Sequence, residues 1–424
     1  MDKRVVITGM GVVSPIATGI KEFHNAIKEN RSGIKFIEEL KNYGFACQIG
    51  GIPDISGSIY NSIIEKYKLT DSSKMIIYAI IAALEAWESA GFNVPDYDSN
   101  FTDYQTGCVI GSGIGPADIF GEKIIPYTNQ GNIKKLRSTI VEHSMLSGAS
   151  ANLTGILALG NHISMNSSAC STGTESIILG YERIKEGKAL RMIVGGSEAY
   201  SPYGWSGFDS MRVLTRSFNE NPQKGSRPLS NTASGFVPGA GAGILILEEY
   251  ESAKKRSAKI YGEIIGSHIN SGGQRNGGTM SAPNSEGVIK CITETIKSSK
   301  ISSQKIDYIS GHLSSTMADP LEIKNWSEAL DRKNDNFPYV NSLKSMTGHC
   351  IGASGAIETI AGIIQMNNNF IHASLNSEDL HTDIVQYVSR EKIPLQTIEN
   401  INIDYFVKAS FGFGDVNSCM ILKK

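Results

Sequence analysis

The sequence has almost no net charge: its 424 residues carry 40 Lys and Arg against 42 Asp and Glu, a formal balance of −2. Such a chain has no general electrostatic attraction for nucleic acid or anionic membrane. An acidic partner must be met by a local basic patch. Long apolar runs are also missing. The longest, residues 75–87, is broken by Glu85 and falls short of the roughly 20 residues a bilayer span needs, so no membrane insertion is expected. Cysteine is sparse and unpatterned: Cys47, Cys108, Cys170, Cys291, Cys350 and Cys419 include no Cys-x-x-Cys pair. That excludes a disulfide framework, argues against a metal site and suits a reducing cytoplasm. No Gly/Ser/Pro linker tract occurs. The amino terminus shows no signal-peptide cleavage pattern; Met1-Asp2-Lys3-Arg4 runs into Val5-Val6-Ile7-Thr8, expected to be the first core strand.

With 40% hydrophobic residues the chain can build one large body or two domains of ordinary size. Its 44 glycines gather in punctuating motifs such as Gly111-Ser112-Gly113-Ile114-Gly115 and Phe411-Gly412-Phe413-Gly414, which mark tight turns and close backbone approach. Between them, strand-like runs at 5–8, 108–110, 192–194, 244–247, 306–310 and 419–422 alternate with helical patterns, an α/β rhythm. Helices are expected over 71–90, from 172 to a stop at Gly187, and over 354–366. The last two open with a small-residue turn bearing a reactive side chain, Cys170 before one and His349 before the other. The charged stretch from Glu248 to Arg256 is read as a solvated helix face and as the seam between two halves, 1–252 and 253–424.

Asn166-Ser167-Ser168-Ala169-Cys170-Ser171-Thr172 reads as strand, sharp turn and helix start. Such a turn exposes a nucleophile to free helix amides, which favour the thiolate. Local context leaves a buried structural cysteine equally open. Three downstream features weigh on the choice. His312 ends the strand-like run 306–310. Lys344-Ser345-Met346-Thr347-Gly348-His349 leads into a helix containing Glu358. Phe411-Gly412-Phe413-Gly414 supplies an aromatic loop whose glycines suggest mobility. Gly9-Met10-Gly11 only faintly suggests a dinucleotide fingerprint, and nothing else supports one.

Taken together, these motifs resemble the β-ketoacyl-[acyl-carrier-protein] synthases, most closely the type II elongating, ketoacyl synthase II-like enzymes, from about residue 3 to residue 422. The resemblance is carried by Val6-Ile7-Thr8-Gly9-Met10-Gly11, Ser168-Ala169-Cys170, Gly195-Gly196-Ser197-Glu198-Ala199, Ser226-Arg227-Pro228, the lysine–histidine loop and the Phe-Gly loop. It implies the thiolase fold, with two pseudo-symmetric α/β halves in a five-layered αβαβα arrangement. The N-terminal half would carry the nucleophile, and the C-terminal half both histidines and the gate. The implied activity is an acyltransferase that condenses an acyl thioester with malonyl-[acyl-carrier protein], with loss of CO2, in fatty acid or related polyketide or aryl-polyene synthesis. Cys170 would carry the acyl group. His312 and His349 would stabilise the enolate, with Lys344 paired to Glu358 and with Asp319 and Glu322 in support. Backbone amides of Cys170 and Phe413 would form the oxyanion hole, with Phe413 and Phe411 at the gate. The implied partners are an acyl carrier protein, docking near Lys134, Lys135 and Arg216 and bringing its own phosphopantetheine, and a second subunit in a homodimer or a heterodimer with a related chain. No cofactor of the chain's own is implied.

Several positions depart from the family pattern. The usual His-Gly-Thr-Ser-Thr-Pro appears as His312-Leu313-Ser314-Ser315-Thr316-Met317, and the acidic pair follows one residue early. A charged run becomes Ser230-Asn231-Thr232-Ala233-Ser234, Gly-Glu-Gly becomes Gly239-Ala240-Gly241, and Gly-Gly-Thr becomes Gly414-Asp415-Val416. These changes point to a specialised branch and leave acyl-chain length open. Two alternatives stand beside the condensing enzyme. One is a non-condensing, chain-length-factor-like subunit, which would lack the nucleophile; the other is a thiolase using a second cysteine, for which Cys419 is the candidate.

Overall fold

The computed structural model describes residues 2–96 and 98–424. Ten strands form its main sheet: β1 (Val5–Val13), β2 (Thr106–Gly111), β3 (Ile163–Ser164), β4 (Arg191–Glu198), β5 (Gly241–Glu249), β6 (Gly262–Ser271), β7 (Tyr308–Ser310), β8 (Tyr339–Asn341), β9 (Tyr405–Gly412) and β10 (Val416–Lys423). Their spatial order is β3-β2-β4-β5-β1-β6-β10-β9-β7-β8. Among the described residues, Val5–Ile7 against Gly262–Ile264 is the one strand pairing that joins the N-terminal five to the C-terminal five. Within each five the pattern repeats. The second, third and fourth strands pair in parallel, and the fourth, fifth and first pair antiparallel. This repeat is the pseudo-symmetry of the two halves.

Helices fill the remaining layers. The helix α1 (Lys74–Ser89) and α2 (Gly148–Leu157) cover the outer face of the first half. Between the halves lie α3 (Thr172–Lys185) and α6 (Ser354–Asn368), which pack on strands of both. The outer face of the second half is covered by α4 (Ser285–Ser299) and α5 (Asp319–Leu330). The result is the expected αβαβα arrangement. A helix between two sheets is apolar on nearly all sides, and in α6 every residue from Ser354 to Met366 is buried.

Sequence features now acquire physical reasons. Ser73 caps α1, its hydroxyl accepting from the Met75 amide. Glu85, which interrupts the apolar run, accepts the Val12 and Ile20 amides at 3.0 and 2.6 Å. Gly9 and Gly11 alternate onto the face of β1 that meets α1, where a Cβ would strike the carbonyls of Ala86 and Ala82. Close helix–strand packing, not a phosphate, accounts for their spacing. The strand beginning at Val5 continues through them to Val13.

The charged seam is not wholly solvated. Glu248 is fully buried and holds Arg256, whose Nε and Nη2 donate at 3.0 and 2.6 Å. Arg256 Nη1 also donates to the carbonyl of Ala90, capping the end of α1 with a cation. No helix among the described residues is long and apolar enough to cross a membrane.

Candidate active site

The inner helices α3 and α6 begin alike. Each follows a single 3-10 turn, Ala169–Ser171 and Ile351–Ala353, whose first residue has a positive φ, +49° at Ala169 and +46° at Ile351. A non-glycine residue there stores strain of order 1–3 kcal/mol. At the first turn this strain presents Cys170, with Gly352 as its counterpart in the other half and His349 three residues earlier.

The topology brings groups from distant parts of the chain together. Cys170 Sγ and one ring nitrogen each of His312 and His349 lie within 4.8 Å of one another. They line a cavity of about 600 Å³ that also includes Phe236, Phe411 and Phe413. The imidazoles meet edge to face at 5.3 Å, and Phe236 packs edge-on against His349.

His349 has a defined tautomer. The Ile351 amide donates to Nδ1 at 3.1 Å, and Ser354 Oγ lies 2.9 Å from the same atom. A backbone N–H can only donate, so Nδ1 is an acceptor and the ring proton sits on Nε2. That Nε2 is buried without a protein partner among the described residues. It is a donor awaiting an acceptor.

The turn carrying His312 is held by carboxylates from the first turn of α5. Glu322 accepts the amides of His312 and Leu313 at 2.7 and 2.8 Å. Asp319 accepts those of Ser314 and Ser315 at 2.8 and 3.0 Å. Leu313 and Ser315 both have positive φ, so this turn depends on the two carboxylates. Burial pushes the Glu322 carboxyl up to about 7, opposed by the amide of Leu313.

Behind the histidines, Lys344 donates to Glu358 Oε1 at 2.5 Å and to the His312 carbonyl at 2.5 Å. Motif reading did not identify a second buried lysine. Lys408, from β9, lies 2.6 Å from Glu358 Oε2 and donates to the Ala409 carbonyl. Its only sequence signal is a lysine set among Phe406, Val407 and Ala409. Ser354 and Ile351, which fix the His349 tautomer, also escaped notice.

Burial first, then Lys344, holds both imidazoles well below the usual histidine range, with Lys408 adding to the effect. They are neutral at ordinary pH. Cys170 behaves otherwise than its turn suggests. Its sulfur faces the cavity, so it retains some accessible area, but protein surrounds it elsewhere and burial pushes the thiol up to about 11. Lys344 and the Phe413 amide act in the opposite direction without prevailing. The resting group is a thiol, not the thiolate expected from the helix amides. Alkylation of the resting protein by iodoacetamide should therefore accelerate about tenfold per pH unit from neutrality to beyond pH 9; a plateau below pH 8 would contradict this.

The amides of Phe413 and of Cys170 itself both act on the sulfur, and so point into one small region. Phe413 occupies the β9–β10 hairpin. Gly412 lies against the cysteine turn, where a Cβ would come 3.1 Å from the Cys170 nitrogen, and Gly414 has φ +90°. These glycines thus answer first to close approach and left-handed geometry, beside the mobility expected of them. Asp415 follows at φ +59°. Its carboxylate accepts the amides of Gln274 and Asn284, each at 2.9 Å, and its carbonyl accepts that of Gly272. The Gly414 amide donates to the Met280 carbonyl. The hairpin is thereby tied to the segment 272–284, which supplies Ser281, Ala282 and Pro283 to the cavity.

The remaining candidates lie outside this centre. Lys134, Lys135 and Arg216 are exposed. Lys135 borders a separate cleft of about 190 Å³ with Lys123 and Arg137, whereas Arg216 follows Arg212 and Val213 at the main cavity. Cys419 is fully buried in the second half's core beside Cys291; it does not line the cavity, so the thiolase base has no candidate there.

Comparison with known proteins agrees with this architecture. Residues 2–253 match the family described as Beta-ketoacyl synthase, N-terminal domain, and residues 261–378 match Beta-ketoacyl synthase, C-terminal domain. The chain is 31% identical to 3-oxoacyl-[acyl-carrier-protein] synthase 2 of Vibrio harveyi over 100% of its own length and 99% of the relative's. It superposes on a crystal structure of a β-ketoacyl synthase from Burkholderia phymatum with a TM-score of 0.88 at 26% identity, covering 100% and 99% of the two chains. A type II polyketide ketosynthase, solved with its acyl-carrier protein, gives a TM-score of 0.87 at 28% identity with complete coverage of both. The fold and family define an acyltransferase of the condensing class. The chain belongs to the β-ketoacyl synthase family.

Proposed function

We propose that this chain performs a decarboxylative Claisen condensation in which Cys170 carries the growing acyl group and malonyl-[acyl-carrier protein] extends it. The observation that carries the reading is the convergence of one thiol and two neutral imidazoles within 4.8 Å at a single cavity.

In acyl transfer, the Cys170 sulfur bonds to the thioester carbonyl, the bond to the carrier's thiol breaks, and the cysteine proton leaves with that thiol. The amides of Cys170 and Phe413 receive the transient oxyanion. In the second step the malonyl C–CO2 bond breaks, and its electron pair becomes an enolate held by the Nε2–H donors of His349 and His312. The enolate carbon attacks the acyl carbonyl, and the sulfur leaves as thiolate and takes one proton from solvent, the proton the overall reaction consumes. Lys344 and Glu358 hold the His312 turn, assisted by Asp319 and Glu322. The phosphopantetheine arm arrives on the carrier protein, and the scheme requires no resident cofactor or metal.

Exposed Phe120, Ile125, Ile133, Val141 and Leu146 in one stretch support pairing with a second copy or a related subunit. Lys134, Lys135 and Arg216 are available to an acidic carrier. Six free thiols support a cytoplasmic location. A non-condensing subunit would have no use for the nucleophile, its strained turn or the donor pair.

The test is intact-mass analysis after incubation with a panel of acyl-carrier proteins. We expect one acyl adduct that is absent from Cys170→Ala and is discharged by malonyl-carrier protein with release of CO2. An unmodified wild-type mass with every carrier would overturn the reading.

A further inference from the structure

We propose that Lys408 is a positioning residue for the condensation: with Lys344 it brackets Glu358 and forms a second cation behind the His312–His349 donor pair. The inference rests on the condensing-enzyme reading above.

The geometry is a buried chain. Lys344 Nζ lies 2.5 Å from Glu358 Oε1, and Lys408 Nζ lies 2.6 Å from Oε2. All three residues are almost completely buried. Each lysine also reaches the backbone around His312. Lys344 donates to the His312 carbonyl, and Lys408 approaches the carbonyls of Ser310 and Gly311 at 3.5 and 3.4 Å. Sheet register explains this placement, because β9 pairs with β7 so that Lys408 is opposite Ser310. The strand carrying Lys408 also carries Phe411 and leads directly into the Phe413 hairpin. One carboxylate therefore links the histidine turn, the lysine loop and the gate strand.

A simple ion pair needs only one lysine for one carboxylate. Burying a second ammonium is costly unless its charge is used or compensated. Burial and, less strongly, the neighbouring Lys344 ammonium pull Lys408 below the ordinary lysine range, while Glu358 and, more weakly, Glu322 hold it up. Charged and titratable groups meet at His312 from several elements: Lys344 before His349, His349 itself, Lys408 on β9, Asp319 and Glu322 on α5, and Cys170 across the cavity. The two lysines favour neutral imidazoles. Neutrality preserves the Ile351 amide bond to His349 Nδ1, which protonation of that atom would break. The same positive field favours negative charge developing on an enolate oxygen.

Lys408→Met tests this while leaving Glu358 paired with Lys344. Histidine titration is followed by NMR in the full-length resting protein without substrate. We expect His312 to titrate about one pH unit higher in the variant than in wild type, and the acid limb of condensation to move up with it. Unchanged titration and an unchanged acid limb would reduce Lys408 to packing and overturn the proposal. A measurement on unaltered protein guards against a variant that fails to fold: nitrogen-15 NMR of lysine-labelled wild type should show the Lys408 nitrogen as an ammonium at neutral pH, and a neutral-amine signal there would equally overturn it. Neither NMR readout depends on acylation. A wild-type protein that never accepts an acyl group thus defeats the condensing reading separately.

Discussion

Glu358→Gln should destabilise the protein by at least about 3 kcal/mol, the scale on which removing one partner of a buried ion pair acts, and should abolish condensation. The carboxylate is 3% exposed and, among the described residues, is the one that forms ion pairs with both Lys344 and Lys408. Glutamine retains its volume but supplies one oxygen and an amide donor, so one buried ammonium faces another donor instead of an acceptor. The loss should depend on pH. A buried lysine without its counter-charge has a folded-state pKa below its unfolded value, so the unfolded chain binds more protons between the two and the variant gains relative stability as pH rises through that window. Urea denaturation of both proteins at neutral pH and near pH 9.5 measures the effect. Equal midpoints at neutral pH would show that the carboxylate does not bear the charge assigned to it.

His349→Ala should separate the two halves of the reaction. In the proposed mechanism acyl transfer to Cys170 relies on the amides of Cys170 and Phe413, which the substitution leaves in place, so an acyl-enzyme should still form. Condensation loses one of two donors to the enolate oxygen. Removing one preorganised donor of this kind costs about 10²–10³ in rate. Intact mass reads the first step, and formation of 3-oxoacyl-carrier protein reads the second. A variant that loses both equally would indicate that His349 serves the cysteine instead, while one that condenses at the wild-type rate would remove His349 from the mechanism.

Much of this site could be read from the chain because its groups sit on motifs with local rules. Cys170 and His349 both precede inner helices, and the α3 and α6 patterns expected from residues 172 and 354 are observed. The acidic pair retained its internal spacing, and Asp319 and Glu322 accordingly reach consecutive amides of one turn. What escaped depended on register and enclosure. Lys408 becomes a partner of Glu358 only when β9 aligns beside β7, a pairing across about a hundred residues that no local pattern specifies. The Cys170 thiol follows the same rule: helix amides are visible in sequence, whereas the burial that pushes the thiol up arises only when both halves close around it. Glu248 illustrates the same limit at the seam, where a residue in a charged run proves fully buried because Arg256 folds back onto it.

The connection through Asp415 has a mechanical consequence. Four hydrogen bonds join the Phe413 hairpin to the segment 272–284, so these two walls of the chamber share a hinge. Displacing the hairpin backbone either breaks those bonds or carries the segment 272–284 along with it. Any shift of that backbone reshapes the wall formed by Ser281, Ala282 and Pro283 in the same stroke, so the two segments behave as leaves geared together.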